Sequence, residues 1–308
     1  MRATGASAMT GRMAPDILCI GSVLWDIIGR SPAAMRVGSD MPGRIARLPG
    51  GVAMNIAITL RRLGLKPALL TSIGRDADGE ELIAACIRLG LDCAYVHRSD
   101  NLPTDRYMAI EGANGLIAAI ADAHSLEAAG DAILHALSDG RLGSVSQPFA
   151  GTVALDGNLT EALLAHVAGS PLFAAADLRV APASPGKAER LVPMLSHQRA
   201  TFYLNRDEAG VLAKASFASA PEAAAALIAR GAARVLVTDG ARPSAEGTAG
   251  AGVIEGMPPL VMVTRVTGAG DTLMAAHIVA ELRGATREAA LAAALSAAAD
   301  HVSGRNGS

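Results

Sequence analysis

From Asp16 onward the chain alternates short β-type runs with segments of helical period, which is the pattern of parallel strands joined by covering helices. The strand-like runs are Ile17 to Ile20, Ala68 to Thr71, Thr152 to Leu155, Leu172 to Ala175, Thr201 to Leu204 and Val235 to Thr238, and Leu260 to Val263 reads as another. Helical period runs through Asn55 to Leu63, Gly79 to Leu89, Thr160 to Val167, Lys187 to Leu195, Pro221 to Arg230, Leu273 to Leu282 and Arg287 to Val302. Sheets of this kind bind ligands at the carboxyl ends of their strands, and the residues with chemistry to offer fall just after these runs.

Two stretches, about 29–48 and 102–122, break the rhythm with alternating polar and apolar residues. They predict antiparallel ribbon. The second has turn residues at its centre, Gly112-Ala113-Asn114-Gly115, and reads as a hairpin. Because both leave the α/β body early, they are expected to pair into a small sheet over the active cleft. It reads as a lid, or as an edge extension or dimer interface, and these are compatible.

With 308 residues, 51% of them hydrophobic, the chain suffices for one large α/β domain or two ordinary ones. A net charge of −2, scattered along the chain, offers no basic surface for nucleic acid and no polybasic membrane patch. A small molecule is the expected partner. Cys19, Cys86 and Cys93 show no C-x-x-C spacing, which argues against a zinc site and for reduced core residues in the cytoplasm. Residues 1–13 lack the apolar core of a secretory signal and read as a disordered leader, with 14–308 as the folded unit. The apolar stretch from Ala289 to Ala299 is too short to span a bilayer.

The chemistry concentrates in Val266-Thr267-Gly268-Ala269-Gly270-Asp271-Thr272, which sets a carboxylate behind a turn of small residues at the head of an apolar helix. Small residues at 268–270 let backbone N–H groups converge on a phosphate, and the helix dipole adds to their pull. Asp271 reads as a base within reach of an attacking hydroxyl, or as a plain helix cap; a preceding strand favours the former. Asp26, just beyond the first strand, suits two adjacent hydroxyls of a sugar ring, or caps a turn. The glycines Gly50 and Gly51 permit close backbone approach, and Asn55 offers an amide or a helix cap. Asp78 or Gly79 in the turn after Gly74 reads as a cap. Asn205 and Glu208 stand three apart on a helix's first turn, a spacing for holding magnesium through water or for a capping box. Thr238 and Gly240 end a strand with a hydroxyl and a glycine, fitting a loop close to a nucleotide.

Taken together, Gly50-Gly51 with Asn55, Asn205 with Glu208, Thr238 with Gly240, and Gly268-Ala269-Gly270-Asp271 resemble the ribokinase-like, or PfkB, carbohydrate kinases, in order and interval from about Asp16 to Val302. The resemblance implies a doubly wound, mostly parallel central sheet with a β lid. It implies ATP and magnesium as co-substrates and transfer of the γ-phosphate to a primary hydroxyl. By position Asp271 then looks like the catalytic base and Gly268, Ala269 and Gly270 like the anion hole. Asp26, Gly50, Gly51 and Asn55 look like sugar contacts, with Thr104, Asn158 and Lys187 as further substrate-side residues. Asn205, Thr238, Gly240, Gly268 and Gly270 look like the ATP site, with Glu208 and Asn205 reaching the metal through water. Within the family the lid and substrate-side stretches, Pro103-Thr104 with Tyr107, Leu155 to Leu159, and Ala181 to Ser184 with Lys187, are similar to the pseudouridine kinases. Arg265 stands where many members carry an acidic residue tied to a monovalent-cation site, which counts against potassium activation.

The expected reaction is phosphorylation of a nucleoside 5′-hydroxyl, in a homodimer joined through the lid. Its competitors are a kinase of the same fold acting on another sugar or nucleoside, and a catalytically silent nucleoside-binding protein.

Overall fold

The computed structural model describes residues 14–36, 38–264 and 267–305. The leader 1–13 and Arg265 lie outside the described residues. In chain order the elements are β1 (Ile17–Ile20), β2 (Leu24–Arg30), β3 (Arg44–Gly50), α1 (Val52–Arg62), β4 (Pro67–Leu70), β5 (Ser72–Gly74), α2 (Ala77–Arg88) and β6 (His97–Ser99). Next come β7 (Arg106–Gly112), β8 (Gly115–Asp122), α3 (His124–Ala129), β9 (Thr152–Asp156), α4 (Glu161–Gly169), β10 (Asp177–Ala181), β11 (Ala200–Asn205) and α5 (Arg206–Ala213). The chain closes with α6 (Ala220–Ala229), β12 (Arg234–Asp239), β13 (Arg242–Thr248), β14 (Gly252–Gly256), α7 (Ala269–Leu282) and α8 (Arg287–Val302).

The main sheet has eight strands in the order β14-β13-β12-β11-β10-β9-β1-β4. The six from β12 to β4 are parallel, and β13 and β14 add an antiparallel edge. Its central strands are buried on both faces, so alternate residues feed two cores. Leu18, Ile20, Val153, Leu155, Val180 and Phe202 pack into one with α4, α5 and α6. Ile17, Cys19, Leu69, Ala154 and Leu236 pack into the other with α1, α2, α7 and α8. That is the doubly wound arrangement, in which helices cover both faces of the parallel sheet. From β1 the chain runs outward to β4, while β9 starts the other arm, so the strand order reverses between β1 and β9. The crevice at such a reversal is where α/β sheets take ligands.

A second sheet, β3-β2-β7-β8, forms from the two interruptions. It differs from an antiparallel ribbon at its centre, where β2 and β7 pair in parallel. It also begins earlier, at Leu24, which puts Asp26 on a strand of this sheet and not in a loop. The register aligns Asp26 with Tyr107 and Ala121, and aligns Ile27 with Met108 and Ile120. Side chains alternate along a strand, so these two rows face opposite ways.

Three sequence expectations fail for identifiable reasons. Leu172 to Ala175 is no strand: Ser170 caps a 3-10 turn there, and the strand starts at Asp177. That strand carries buried Arg179, whose guanidinium is bonded to Asp177, Tyr203 and Glu281, so its polarity hid it. Lys187 to Leu195 falls largely in a 3-10 segment, Pro185–Met194, where Pro193 removes an α-helical hydrogen bond. Among the described residues Leu260 to Val263 pairs with no strand, and Leu260 and Met262 are 87% and 83% exposed; the run follows Pro258-Pro259, which have no N–H to give a ladder. Among the described residues no helix is long and apolar enough to cross a membrane.

Candidate active site

The loop from β1 into β2 is built around Asp156, at the carboxyl end of β9. This fully buried carboxylate accepts from the Ser22 amide (2.7 Å), the Ser22 hydroxyl (3.0 Å) and the Ala53 amide (3.0 Å) on one oxygen. The Asn158 amide reaches the other at 2.7 Å. The Ser22 hydroxyl also accepts from the Val52 amide (2.9 Å) and the Asn158 side chain (2.8 Å), and Lys187 Nζ donates to Asn158 Oδ1 at 2.7 Å. Three parts of the chain, the β1 end, the head of α1 and the β9 end, therefore meet on one side chain. Asp156 and Ser22 were not singled out in the sequence. The available signal was an Asp at the end of an unbroken apolar run, a position that in a parallel sheet opens onto the crevice.

Gly51 starts α1 at φ 97°, and a Cβ there would lie 2.4 Å from the Ser22 carbonyl oxygen. Only glycine suits both conditions. At Gly50 a Cβ would lie 2.0 Å from an Asp26 carboxylate oxygen, so the glycine pair admits Asp26 to the crevice edge. Asn55 is inside α1 and caps nothing; its Nδ2 donates to Asp271 Oδ2 at 2.9 Å. This bond joins the helix after the glycine pair to the helix after the glycine turn.

Gly268 caps α7 in the left-handed region (φ 83°), and Asp271 is the acidic residue of that helix's first turn. The leading N–H groups of an α-helix have no acceptor within it, so those of Ala269, Gly270 and Asp271 are available to an anion. Beside Gly270 no atom of the described residues lies within 4 Å of where a Cβ would stand, so among them the turn is open on that side. Burial raises the Asp271 carboxyl to about 7, and the nearby carboxylates of Asp156, Glu208 and Asp26 push the same way against the Asn55 hydrogen bond. Burial likewise raises Asp26 to about 6. Asp26 and Asp271, both raised toward neutrality, lie close enough for one charge to act on the other, an arrangement suited to proton transfer.

Asn205 and Glu208 form a complete capping box on α5: Asn205 Oδ1 accepts from the Glu208 amide (2.9 Å) and Glu208 Oε2 from the Asn205 amide (2.8 Å). The box leaves the other carboxylate oxygen and the side-chain nitrogen outside it. Burial raises Glu208. Thr238 is in register with Asn205 on the neighbouring strand, and Gly240 takes the following turn at φ 62° with open space beside it.

Thr104 is placed differently from the expectation of a substrate contact. It is buried, its hydroxyl donates to Asp76 Oδ1 at 2.6 Å and its amide to Asp76 Oδ2 at 2.8 Å, which ties the base of the small sheet to the cap of α2. Asp76, not Asp78 or Gly79, is that cap. Asp105 and Arg106 do not pair with each other: Asp105 caps α3 through Ser125 and Leu126, and Arg106 reaches Asp78.

The description "pfkB family carbohydrate kinase" matches residues 14–307. The chain is similar to pseudouridine kinase from Escherichia coli (strain K12), 36% identical over 75 residues, or 24% of each chain. It is similar to pseudouridine kinase from Arabidopsis thaliana, 26% identical over 100 residues, 32% of this chain and 26% of that protein. The matched stretches thus span about a quarter of those relatives. Among solved structures, Arabidopsis thaliana ribokinase complexed with ribose and ATP superposes at TM-score 0.75 with 23% identity, covering 94% of this chain and 93% of that one. Ribokinase from Thermotoga maritima gives 0.77 with 21% identity and coverage of 94% and 93%. A carbohydrate kinase from Agrobacterium tumefaciens gives 0.76 with 26% identity and coverage of 92% and 89%. With the family description spanning nearly all the folded chain, the protein belongs to the PfkB family of carbohydrate kinases.

Proposed function

We propose that this protein is an ATP-dependent kinase that phosphorylates the 5′-hydroxyl of a nucleoside, pseudouridine first among them. One observation carries the reading: Asp271, raised to about 7 and oriented by Asn55, stands in the first turn of α7 beside an open glycine turn. A base and an anion hole share one turn of helix. Pseudouridine leads because the two curated relatives act on it and because Asn158 and Lys187 form a polar pair on the substrate side.

In this mechanism Asp26 and Asn55 hold the sugar hydroxyls, and the 5′-hydroxyl lies against Asp271. Asp271 takes the hydroxyl proton as the 5′-oxygen bonds to the γ-phosphorus and the bond from that phosphorus to the β-phosphate oxygen breaks, releasing ADP, while the N–H groups at 269–271 meet the charge on the transferring group. The α5 capping box, Thr238 and Gly240 line the nucleotide side. Among the described residues no three His, Cys, Asp or Glu side chains gather to hold a metal on their own. Magnesium keeps several waters and rests on substrate phosphates; Glu208 and Asn205 would hold it through water, and it would neutralise phosphate charge. The small sheet closes as a lid that excludes water. On its outer face Ile45, Met108 and Ile120 are 79%, 46% and 68% exposed, and a second copy covers them in a cytoplasmic homodimer.

ADP release with pseudouridine, ribose, adenosine, inosine, cytidine and fructose tests the reading. Release fastest with pseudouridine supports it in full; a preference for another acceptor overturns the substrate and keeps the kinase, and no release with any acceptor overturns both.

A further inference from the structure

The anion turn is gripped from outside by a residue that no step above uses. His301, in the last turn of α8, brings Nε2 to 2.8 Å from the Thr267 carbonyl oxygen and Nδ1 to 3.2 Å from the Thr272 hydroxyl. Thr267 immediately precedes the Gly268-Ala269-Gly270-Asp271 turn and Thr272 immediately follows it, so one imidazole spans both ends. A carbonyl can only accept, so Nε2 carries the proton; Nδ1 accepts from the threonine hydroxyl when the ring is neutral and donates to it when the ring is charged. The ring also lies against the glycine: a Cβ on Gly268 would be 3.2 Å from Nε2 and 3.3 Å from Cε1. One residue on, the Val302 carbonyl accepts from the Thr264 amide at 2.8 Å and the Thr264 hydroxyl at 3.0 Å, so the end of α8 holds the approach to the turn as well.

We infer that His301 is a positioning residue for phosphoryl transfer, fixing the Thr267–Gly268 peptide so that N–H groups, and not a carbonyl oxygen, face the transferring group. The physical need is specific. Gly268 sits at φ 83°, and glycine adopts either sign of φ readily, so this peptide plane is the one most free to turn over. Turned over, it would aim a carbonyl at an anion. A hydrogen bond that pins the Thr267 carbonyl on the α8 side blocks that rotation, and keeps the helix-end donors preorganised where charge develops.

The inference rests on the kinase reading, and the test separates the two. ADP release is measured for wild type, His301→Ala and His301→Gln with pseudouridine and with ribose as acceptors, alongside basal ATP hydrolysis and thermal unfolding without ligand. Gln keeps an N–H donor for the Thr267 carbonyl; Ala does not. His301→Ala is expected to lose about 10- to 100-fold in kcat, the scale of a misplaced catalytic turn, with acceptor KM unchanged. The loss should be the same factor for each acceptor and for water, since the Thr267–Gly268 peptide faces only the transferring group, and His301→Gln should recover most of it. An Ala variant with wild-type kcat, equal losses in Ala and Gln, or a loss confined to acceptor KM would overturn the role. An Ala variant that unfolds leaves the Gln variant to decide: a folded Gln variant must hold kcat within a few-fold of wild type, and a larger loss overturns the role. A wild type that releases no ADP would instead sink the kinase reading itself.

Discussion

A carboxylate that must accept a proton works best where its ionisation lies near the working pH, and burial has brought Asp271 to about 7. The rate should therefore climb with pH up to about 7 and then level, because only the ionised form can take the hydroxyl proton. Stability should run the other way. Between the ordinary aspartate value near 4 and about 7 the folded state holds a proton the unfolded chain has lost, so stability falls as pH rises through that window. Asp271→Asn, which carries no charge, should then be more stable than wild type at pH 8, by an amount on the order of a few kcal/mol; denaturant unfolding at pH 5 and pH 8 measures it. Asp271 and Asn55 stand out in the sequence because glycines closely precede them, and glycine marks backbone that must come close to something. Asp156 was not, since an acidic residue ending a strand looks the same whether it faces solvent or gathers four hydrogen bonds. Thr104 was misread because its hydroxyl satisfies a cap contributed from 28 residues away.

The segments that carry the site are held by close approach at one end and by charge at the other. Gly51→Ala forces a Cβ to 2.4 Å from the Ser22 oxygen at an unfavourable φ, so it should lower stability by about 2–3 kcal/mol and weaken nucleoside binding, read by unfolding and acceptor KM. The far half of α7 is fixed by ions: Glu246, 0% exposed, accepts from Arg234 (2.8 Å) and Arg287 (2.8 Å) and contacts His277, while Glu281 pairs with Arg179 and Arg234. Burial opposes the charge on Glu246, but His277, Arg287 and Arg234 outweigh it and hold the carboxyl at about 2. Its stabilisation is thus complete above the ordinary glutamate value and is lost as pH falls toward about 2. Glu246→Ala, which strands two partly buried arginines, should cost about 3–5 kcal/mol. This network is also why β10 and β13 escaped the sequence reading: Arg179 and Glu246 interrupt the apolar pattern that announces a buried strand. Where ions stand only at the strand ends, as Asp156 in β9 and Arg234 and Asp239 in β12, or are absent, as in β1 and β11, the runs read from sequence coincide with the strands to within a residue or two.

The reversal of strand order between β1 and β9 places Ser22, Asp156 and Asn158 at one crevice, while the ends of β11 and β12 carry Asn205 and Thr238. No local pattern encodes that order; it follows from which helices cover which face, which emerges only when the chain packs. The small sheet turns Asp26 and its row one way and Ile27, Met108 and Ile120 the other. The protein should therefore sediment as a dimer, and Ile120→Glu, placing charge on that outer row, should shift it to monomer. The most direct measurement is single-turnover ADP formation by wild type and Asp271→Asn with saturating ATP, magnesium and pseudouridine, together with pseudouridine affinity by calorimetry. A loss of about 10²- to 10⁴-fold in the chemical step with affinity nearly unchanged is the predicted result. Turnover near wild type in the Asn variant would contradict the role of Asp271 as the base.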